Sequence, residues 1–133
     1  MIVSSNVDYP TGCQDDAPAL SALALSYGIG CHLDACLGSF VMPFVTECGF
    51  KLKFPIFDFR LPGITSISCD PHKYGYAPKG TSVVMFRTKE LRRGTIFSVP
   101  NWEGGLYSTT CMGGSRSGAA VIGCWASLLS IGK

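Results

Sequence analysis

The fold is decided by residues 1–35, which read MIVSSNVDYPTGCQDDAPALSALALSYGIGCHLDA. The apolar runs at residues 1–5 and 31–35 each predict a short buried strand. Between them, Leu20 and Leu23 belong to a run of apolar residues at helical spacing. A strand, a helix and a strand in about thirty residues form a βαβ unit. We therefore predict an α/β fold with a parallel sheet.

The helix of this unit has recognisable boundaries. Asp15 or Asp16 can cap its first turn, and Pro18 lies where a missing backbone N–H costs nothing. Gly28 and Gly30 are expected to end the helix.

Further elements are predicted downstream of this unit. Period-two alternation at residues 64–69 and the apolar run at residues 82–87 indicate two more strands. A helical segment is expected at residues 40–50, although Pro43 disturbs it, and a long apolar helix at residues 117–131.

The composition indicates one folded domain. Apolar residues make up 47% of the 133 residues and charged residues only 15%, which favours a buried core. The net charge of +2 is too small and too scattered to suggest a nucleic-acid partner. The most apolar stretch, residues 17–29, is too short to span a bilayer, so we expect no membrane segment in this sequence.

The cysteines indicate reduced thiols. There are seven, an odd number, and no pair has CxxC spacing, so we infer a reducing compartment. A zinc site formed by Cys31, His32 and Cys36 is disfavoured because adjacent strand residues point to opposite faces of a sheet. No metal site is expected.

Asp34 and Lys73 are the main candidates for chemistry. Asp34 lies at the carboxyl end of a predicted strand, at the edge where parallel sheets bind ligands, although it could instead cap a helix beginning near Ser39. Lys73 follows His72 after another strand and could be desolvated, which would lower its pKa and free its amine for imine formation. An aspartate and a lysine at opposite ends of a pyridine ring are what pyridoxal phosphate requires. The alternative for Lys73 is an ordinary solvated lysine.

Three segments carry a family resemblance, and their sequences are HLDACLGSF (32–40), DFRLPGITSISCDPHKYGYAPKGTSVVMFR (58–87) and NWEGGLYSTTCMGGSRSGAAVIGCWASL (101–128). They resemble the sphingosine-1-phosphate lyase family, a branch of the group II decarboxylases among the fold-type-I pyridoxal-phosphate enzymes. The resemblance implies that residues 1–133 are the C-terminal half of the large, mostly parallel-sheet cofactor domain. It also implies that the phosphate-binding turn, the ring-stacking histidine and the small C-terminal domain lie outside this sequence.

The resemblance implies a role for each of five residues. Lys73 would be the Schiff-base lysine and Asp34 the partner of the pyridine nitrogen. His72 would lie beside the cofactor phosphate. His32 would lie near the ring, its alternative being a buried neighbour of the site. Lys79 would be a second lysine needed for activity, its alternative being a solvated loop residue.

The implied reaction is retro-aldol cleavage of sphingosine or sphinganine 1-phosphate to a long-chain aldehyde and phosphoethanolamine. The resemblance further implies a homodimer, with residues 104–107 near its interface, the alternative for this segment being an ordinary glycine turn. It also implies an endoplasmic reticulum location with the catalytic part facing the cytosol. Two alternatives stay open: an amino-acid decarboxylase of the same family, and a truncated, inactive relative that only binds a full-length partner. Two positions depart from the family pattern, Ser117 in place of proline and Pro71 in place of threonine.

Overall fold

A mostly parallel sheet forms the centre of the fold. The computed structural model describes residues 1–132, and its four central strands are β1 (Ile2–Ser5), β2 (Cys31–Ala35), β3 (Ile64–Cys69) and β4 (Val83–Phe86). They lie in the order β1-β2-β3-β4; the first two pairs are parallel and β4 is antiparallel to β3. The predicted βαβ unit and α/β class are confirmed.

The remaining elements surround or extend this sheet. The helices are α1 (Ala17–Ser26), α2 (Lys89–Arg93) and α3 (Gly118–Ile131), and a separate antiparallel hairpin pairs β5 (Phe97–Val99) with β6 (Tyr107–Thr109). No helix within residues 1–132 is both long enough and apolar enough to cross a membrane.

Helix α1 begins where an aspartate can cap it. The Asp16 carboxylate accepts a hydrogen bond from the Ala19 backbone N–H at 3.0 Å, and Pro18 lies in the first turn. Asp15 instead accepts a hydrogen bond from the Ser5 backbone N–H at 2.8 Å. One aspartate therefore caps the helix while its neighbour ties the helix start to the end of β1.

The core lies between α1 and one face of the sheet. Small residues line the helix side, which lets α1 approach the strands closely. The buried hydrophobic residues of the core are Ala17, Ala24, Cys31, Leu33, Ala35, Phe57, Ile64 and Ile67. The other face of β2 carries His32 and Asp34, which are only half-buried. The strand thus has an apolar face towards α1 and a polar face away from it.

The helix expected at residues 40–50 is wrong. Only a 3-10 turn, Met42–Phe44, forms there, and turns make up most of the rest. Pro43 cannot donate a helical hydrogen bond, and Gly49 has a left-handed backbone with φ +85°. The short helix α2 and the β5–β6 hairpin were not predicted.

Helix α3 confirms the predicted apolar helix at the end of the sequence. Ser117 caps it by accepting a hydrogen bond from the Ala119 N–H at 3.2 Å, so serine takes over the helix start where the family has proline. The Ser127 hydroxyl donates to the Gly75 carbonyl at 2.7 Å. A Cβ on Gly123 would lie 2.6 Å from Pro78 Cγ. The helix therefore packs directly on the loop that carries Lys73.

Gly63 provides a test of the close approach of α1 to the sheet. An added Cβ would collide with the Ser21 carbonyl oxygen and lie 2.7 Å from its Oγ. We expect Gly63→Ala to lower the free energy of unfolding by about 1–3 kcal/mol, as overpacking does. Urea unfolding followed by circular dichroism measures the change.

The matched control is Gly118→Ala, because nothing lies within 4 Å of the Cβ it would add at the start of α3. Alanine there should raise the free energy of unfolding by up to about 1 kcal/mol. Equal stability of the two variants would contradict the packing described for Gly63.

Candidate active site

The candidate site lies at the carboxyl ends of β2 and β3. In their parallel register, His32 lies opposite Ser66 and Asp34 lies opposite Ser68. The hydrogen bonds between these pairs place all four side chains on the sheet face away from α1. Parallel sheets bind ligands at this edge, and Asp34 lies there, at the position predicted for it.

A chain of hydrogen bonds links His32 to Asp34. The Ser68 hydroxyl donates to Asp34 Oδ1 at 2.9 Å, so its oxygen is free to accept from His32 Nε2 at 3.2 Å. In the neutral ring, His32 Nδ1 then accepts from the Ser66 hydroxyl at 2.8 Å. Two serines of β3 therefore orient both polar residues of β2.

Asp34 is held as a carboxylate. Partial burial acts to raise its pKa, but the hydrogen bonds from Cys36 and Ser68, together with nearby His32, lower the pKa below its usual value. The Cys36 backbone N–H donates to Oδ1 at 3.0 Å. Turns follow this contact, and no helix begins near Ser39 in residues 1–132. The helix-cap alternative for Asp34 is therefore wrong.

Lys73 lies in the loop of residues 70–82, which joins β3 to β4. Its Nζ is 3.1 Å from Asp70 Oδ2 and donates to Cys36 Sγ at 3.0 Å. Asp70 Oδ1 accepts from the Ser82 hydroxyl at 2.5 Å, across the base of the loop. The Lys73 side chain is 28% exposed and that of Asp70 is 13% exposed.

The pKa of Lys73 is shifted in the direction opposite to the predicted one. The hydrogen bond to Cys36 raises it, desolvation lowers it, and the contact with Asp70 raises it further, so that the net pKa lies above the ordinary value. The predicted lowering is wrong because the sequence did not reveal these two acceptors. In the chain by itself, Lys73 is an ammonium group at neutral pH.

Cys36 brings the two predicted partners together. Its backbone N–H contacts Asp34 and its sulfur contacts Lys73. The carboxylate and the amine therefore both contact one residue just beyond the end of β2.

The other predicted residues are placed differently. His72 Nδ1 donates to the Thr81 carbonyl at 2.5 Å, and its Nε2 is 3.9 Å from Asp70 Oδ2. Lys79 is exposed on the far part of the loop and makes none of the hydrogen bonds or ion pairs found among residues 1–132. His72 thus belongs to the Lys73 cluster, whereas Lys79 does not join it.

The loop is compact because its backbone folds closely on itself. The Ala77 N–H donates to the Pro71 carbonyl at 3.0 Å, and a Cβ on Gly75 would lie 2.6 Å from that carbonyl oxygen. Gly75 is therefore required for this path. Pro71 is the second departure from the family pattern. It fits the loop because its contact with Ala77 uses the backbone carbonyl of Pro71 and not the N–H that proline lacks.

Sequence reasoning missed Cys36 and Asp70. A signal existed for Asp70, since it directly follows β3 just as Asp34 lies near the end of β2. No such signal marked Cys36. All seven cysteines are free, and no group of three His, Cys, Asp or Glu side chains in residues 1–132 is arranged to hold a metal ion.

Curated relatives match the chain along its whole length. It is 50% identical to a sphingosine-1-phosphate lyase of Dictyostelium discoideum over 133 residues, and 47% identical to one of Saccharomyces cerevisiae. The chain spans about a quarter of those proteins, 25% and 22% of their lengths. An L-aspartate/L-glutamate decarboxylase of Pyrococcus horikoshii is 44% identical over 121 residues, which are 91% of this chain and 31% of that protein. No family model matches the sequence.

A solved structure supports the same relationship. The sphingosine-1-phosphate lyase of Burkholderia pseudomallei superimposes with a TM-score of 0.90 at 44% identity, over 98% of this chain and 30% of that one. Sequence and fold therefore agree along the same residues. This chain is homologous over its whole length to sphingosine-1-phosphate lyases, and it has the fold of the corresponding part of fold-type-I pyridoxal-phosphate enzymes.

Proposed function

We propose that this chain forms the lysine and aspartate side of a pyridoxal-phosphate site in a carbon–carbon lyase. The substrate is sphingosine or sphinganine 1-phosphate, and the products are a long-chain aldehyde and phosphoethanolamine. The observation that carries the proposal is the contact of both the Asp34 carboxylate and the Lys73 amine with Cys36. Homology to sphingosine-1-phosphate lyases supports the choice of substrate.

The residues present fit the two ends of the cofactor. Asp34 is an ionised carboxylate whose Oδ1 accepts from Ser68 and Cys36, so Oδ2 can accept from a protonated pyridine nitrogen. Lys73 offers a primary amine that is partly open to solvent. When bound, pyridoxal phosphate supplies an electron sink for the charge left on carbon as the carbon–carbon bond breaks.

Asp34 acts by keeping a proton on the pyridine nitrogen. A buried or half-buried carboxylate stabilises a nearby cation more strongly than a solvated one does. The serine and histidine contacts fix its direction, so little rearrangement is required when the ring arrives. His32 belongs to this support and would lie near the ring.

Lys73 would hold the cofactor through its primary amine. To bond to a carbonyl carbon, Nζ must first lose a proton, and Asp70 Oδ2 at 3.1 Å is a nearby acceptor. His72 can donate from Nε2 to a phosphate oxygen when its ring carries both protons, because Nδ1 already donates to Thr81. We assign Lys79 a supporting role in activity, for which its exposed position leaves access to substrate.

The larger assembly is also part of the proposal. Residues 1–133 would be the C-terminal half of the large cofactor domain, in a homodimer at the endoplasmic reticulum with its catalytic part facing the cytosol. Seven free cysteines are in keeping with a reducing compartment. Leu106, 77% exposed in the segment of residues 104–107, offers an apolar contact for a dimer interface.

The second candidate is an amino-acid decarboxylase. The archaeal L-aspartate/L-glutamate decarboxylase, at 44% identity, favours it. Such an enzyme would use the same lysine and aspartate but release carbon dioxide from a substrate carboxylate. The substrate, rather than the cofactor contacts, separates the two functions.

Product analysis tests the reaction. The full-length protein loaded with pyridoxal phosphate should convert sphinganine 1-phosphate to a long-chain aldehyde and phosphoethanolamine, measured by mass spectrometry. Lys73→Ala should abolish both products because it removes the amine. Carbon dioxide from acidic or aromatic amino acids, without any aldehyde, would overturn the lyase assignment. Turnover of none of these substrates by a cofactor-loaded protein would instead favour an inactive relative.

Covalent labelling tests the lysine assignment separately from turnover. Borohydride reduction of the cofactor-loaded protein should attach the pyridoxyl group to the peptide that contains Lys73, as found by peptide mapping. Lys79→Ala is the control and should keep the label at Lys73. A label on Lys79, or on any other lysine, would contradict the assignment.

The Asp70 contact predicts a change in the pKa of Lys73. Asp70→Asn removes a carboxylate that raises this pKa, so the pKa should fall. Because the folded-state pKa is raised, the contact stabilises the fold fully below the ordinary lysine value, and this stabilisation is lost as pH rises through the folded pKa. Competitive amine labelling across alkaline pH measures the midpoint at Lys73.

The matched control is Asp58→Asn, which removes a carboxylate paired with Arg60 instead. It should leave the Lys73 midpoint unchanged. An identical midpoint in Asp70→Asn and the unmodified protein would show that the contact has no electrostatic effect.

A further inference from the structure

The contact between Lys73 and Cys36 joins two nucleophiles. Lys73 Nζ lies 3.0 Å from Cys36 Sγ, and both side chains are only partly buried. Asp70 holds the amine on one side, and the Asp34 hydrogen bond fixes the Cys36 backbone on the other. The nitrogen and the sulfur are therefore kept together by groups that do not depend on the contact itself.

Such proximity matters once the sulfur is oxidised. A peroxide converts a thiol to a sulfenic acid, and the sulfur of a sulfenic acid is attacked by nearby nitrogen or sulfur nucleophiles. For comparison, exposed Cys111 has its Sγ 3.1 Å from the Gly114 carbonyl oxygen, which is no such nucleophile. At Cys36 the neighbour is a primary amine.

We propose that Cys36 and Lys73 form a redox-sensitive pair in which a hydroperoxide links the cysteine sulfur to the lysine nitrogen. First, the Cys36 sulfur attacks the peroxide; the O–O bond breaks, an S–O bond forms, and the peroxide leaves as an alcohol or water. The Lys73 ammonium gives one proton to solvent, and its nitrogen then attacks the sulfur. The S–O bond breaks, and the departing hydroxide takes the second proton from nitrogen and leaves as water. In sum, thiol, amine and hydroperoxide give a sulfenamide, an alcohol or water from the peroxide, and one further water.

The link has a direct consequence for the site. Its formation rests on the Cys36–Lys73 contact alone, whereas its effect on cofactor loading rests on the proposed function. A nitrogen bonded to sulfur cannot bond to pyridoxal phosphate. Excess thiol attacks the sulfur, breaks the S–N bond and restores the amine, so the block is reversible. Cofactor already bound to Lys73 would conversely protect it from linkage.

Peptide mapping tests the pair directly. The full-length protein, freed of cofactor with hydroxylamine, is treated with hydrogen peroxide, digested and analysed by mass spectrometry. We expect a peptide that joins Cys36 to Lys73, lighter than the sum of its parts by two hydrogen atoms, and its disappearance after dithiothreitol. The dithiothreitol step uses the unmodified protein, so it does not depend on the folding of a variant.

Two variants sharpen the result. Cys36→Ser should lose the linked peptide, and the matched control Cys111→Ser, which removes an exposed thiol elsewhere, should keep it. Oxidation of Cys36 to sulfinic acid, or to a disulfide, with no link to Lys73 would overturn the proposal.

Cofactor loading separates this inference from the proposed function. Loading with pyridoxal phosphate before peroxide should suppress the linked peptide. A link that forms equally in loaded and unloaded protein would establish the redox pair and would instead contradict the cofactor role of Lys73. Absence of the link, with borohydride label on Lys73, would overturn the pair and leave the cofactor role intact.

Discussion

The parallel pairing of β2 with β3 is the constraint on which the site depends. Its register sets Asp34 opposite Ser68, and a shift of register after Cys31 sets His32 opposite Ser66. A slip of one residue would turn the serines towards α1 and leave the Asp34 carboxylate without its hydroxyl donor. Ile64 and Ile67, which β3 buries on its opposite face, resist such a slip because it would expose them.

The change of direction at β4 then determines where the lysine lies. Because β4 runs antiparallel to β3, the loop between them must begin and end at the same edge of the sheet. Asp70 and Ser82, at its two ends, are joined by a hydrogen bond. Lys73 is three residues into the loop, close enough for Asp70 to hold its amine beside Cys36.

Local patterns explain which features the sequence could predict. Strand alternation, the aspartates before α1 and the apolar run of α3 are all encoded within neighbouring residues, and these predictions agree with the structure. The helix expected at residues 40–50 failed because Pro43 and Gly49 outweighed its apolar spacing. The contact of Lys73 with Cys36 could not be predicted, since Cys36 is 37 residues away in sequence. The direction of its pKa shift was wrong for the same reason.

The two cofactor-facing groups differ in how ready they are. Asp34 is ionised, and hydrogen bonds from Cys36 and Ser68 to its Oδ1 orient it. A protonated ring nitrogen can therefore bind without displacing either of them. Lys73 is held by Asp70 and Cys36 through the same nitrogen that must react with a cofactor. Both contacts must be released and a proton lost before that nitrogen can bond to a carbonyl carbon. The aspartate end of the site is therefore preorganised, whereas the lysine end is restrained. A cofactor carbonyl has to overcome both contacts, whereas an oxidised Cys36 sulfur, already beside the amine, has to overcome only the contact with Asp70.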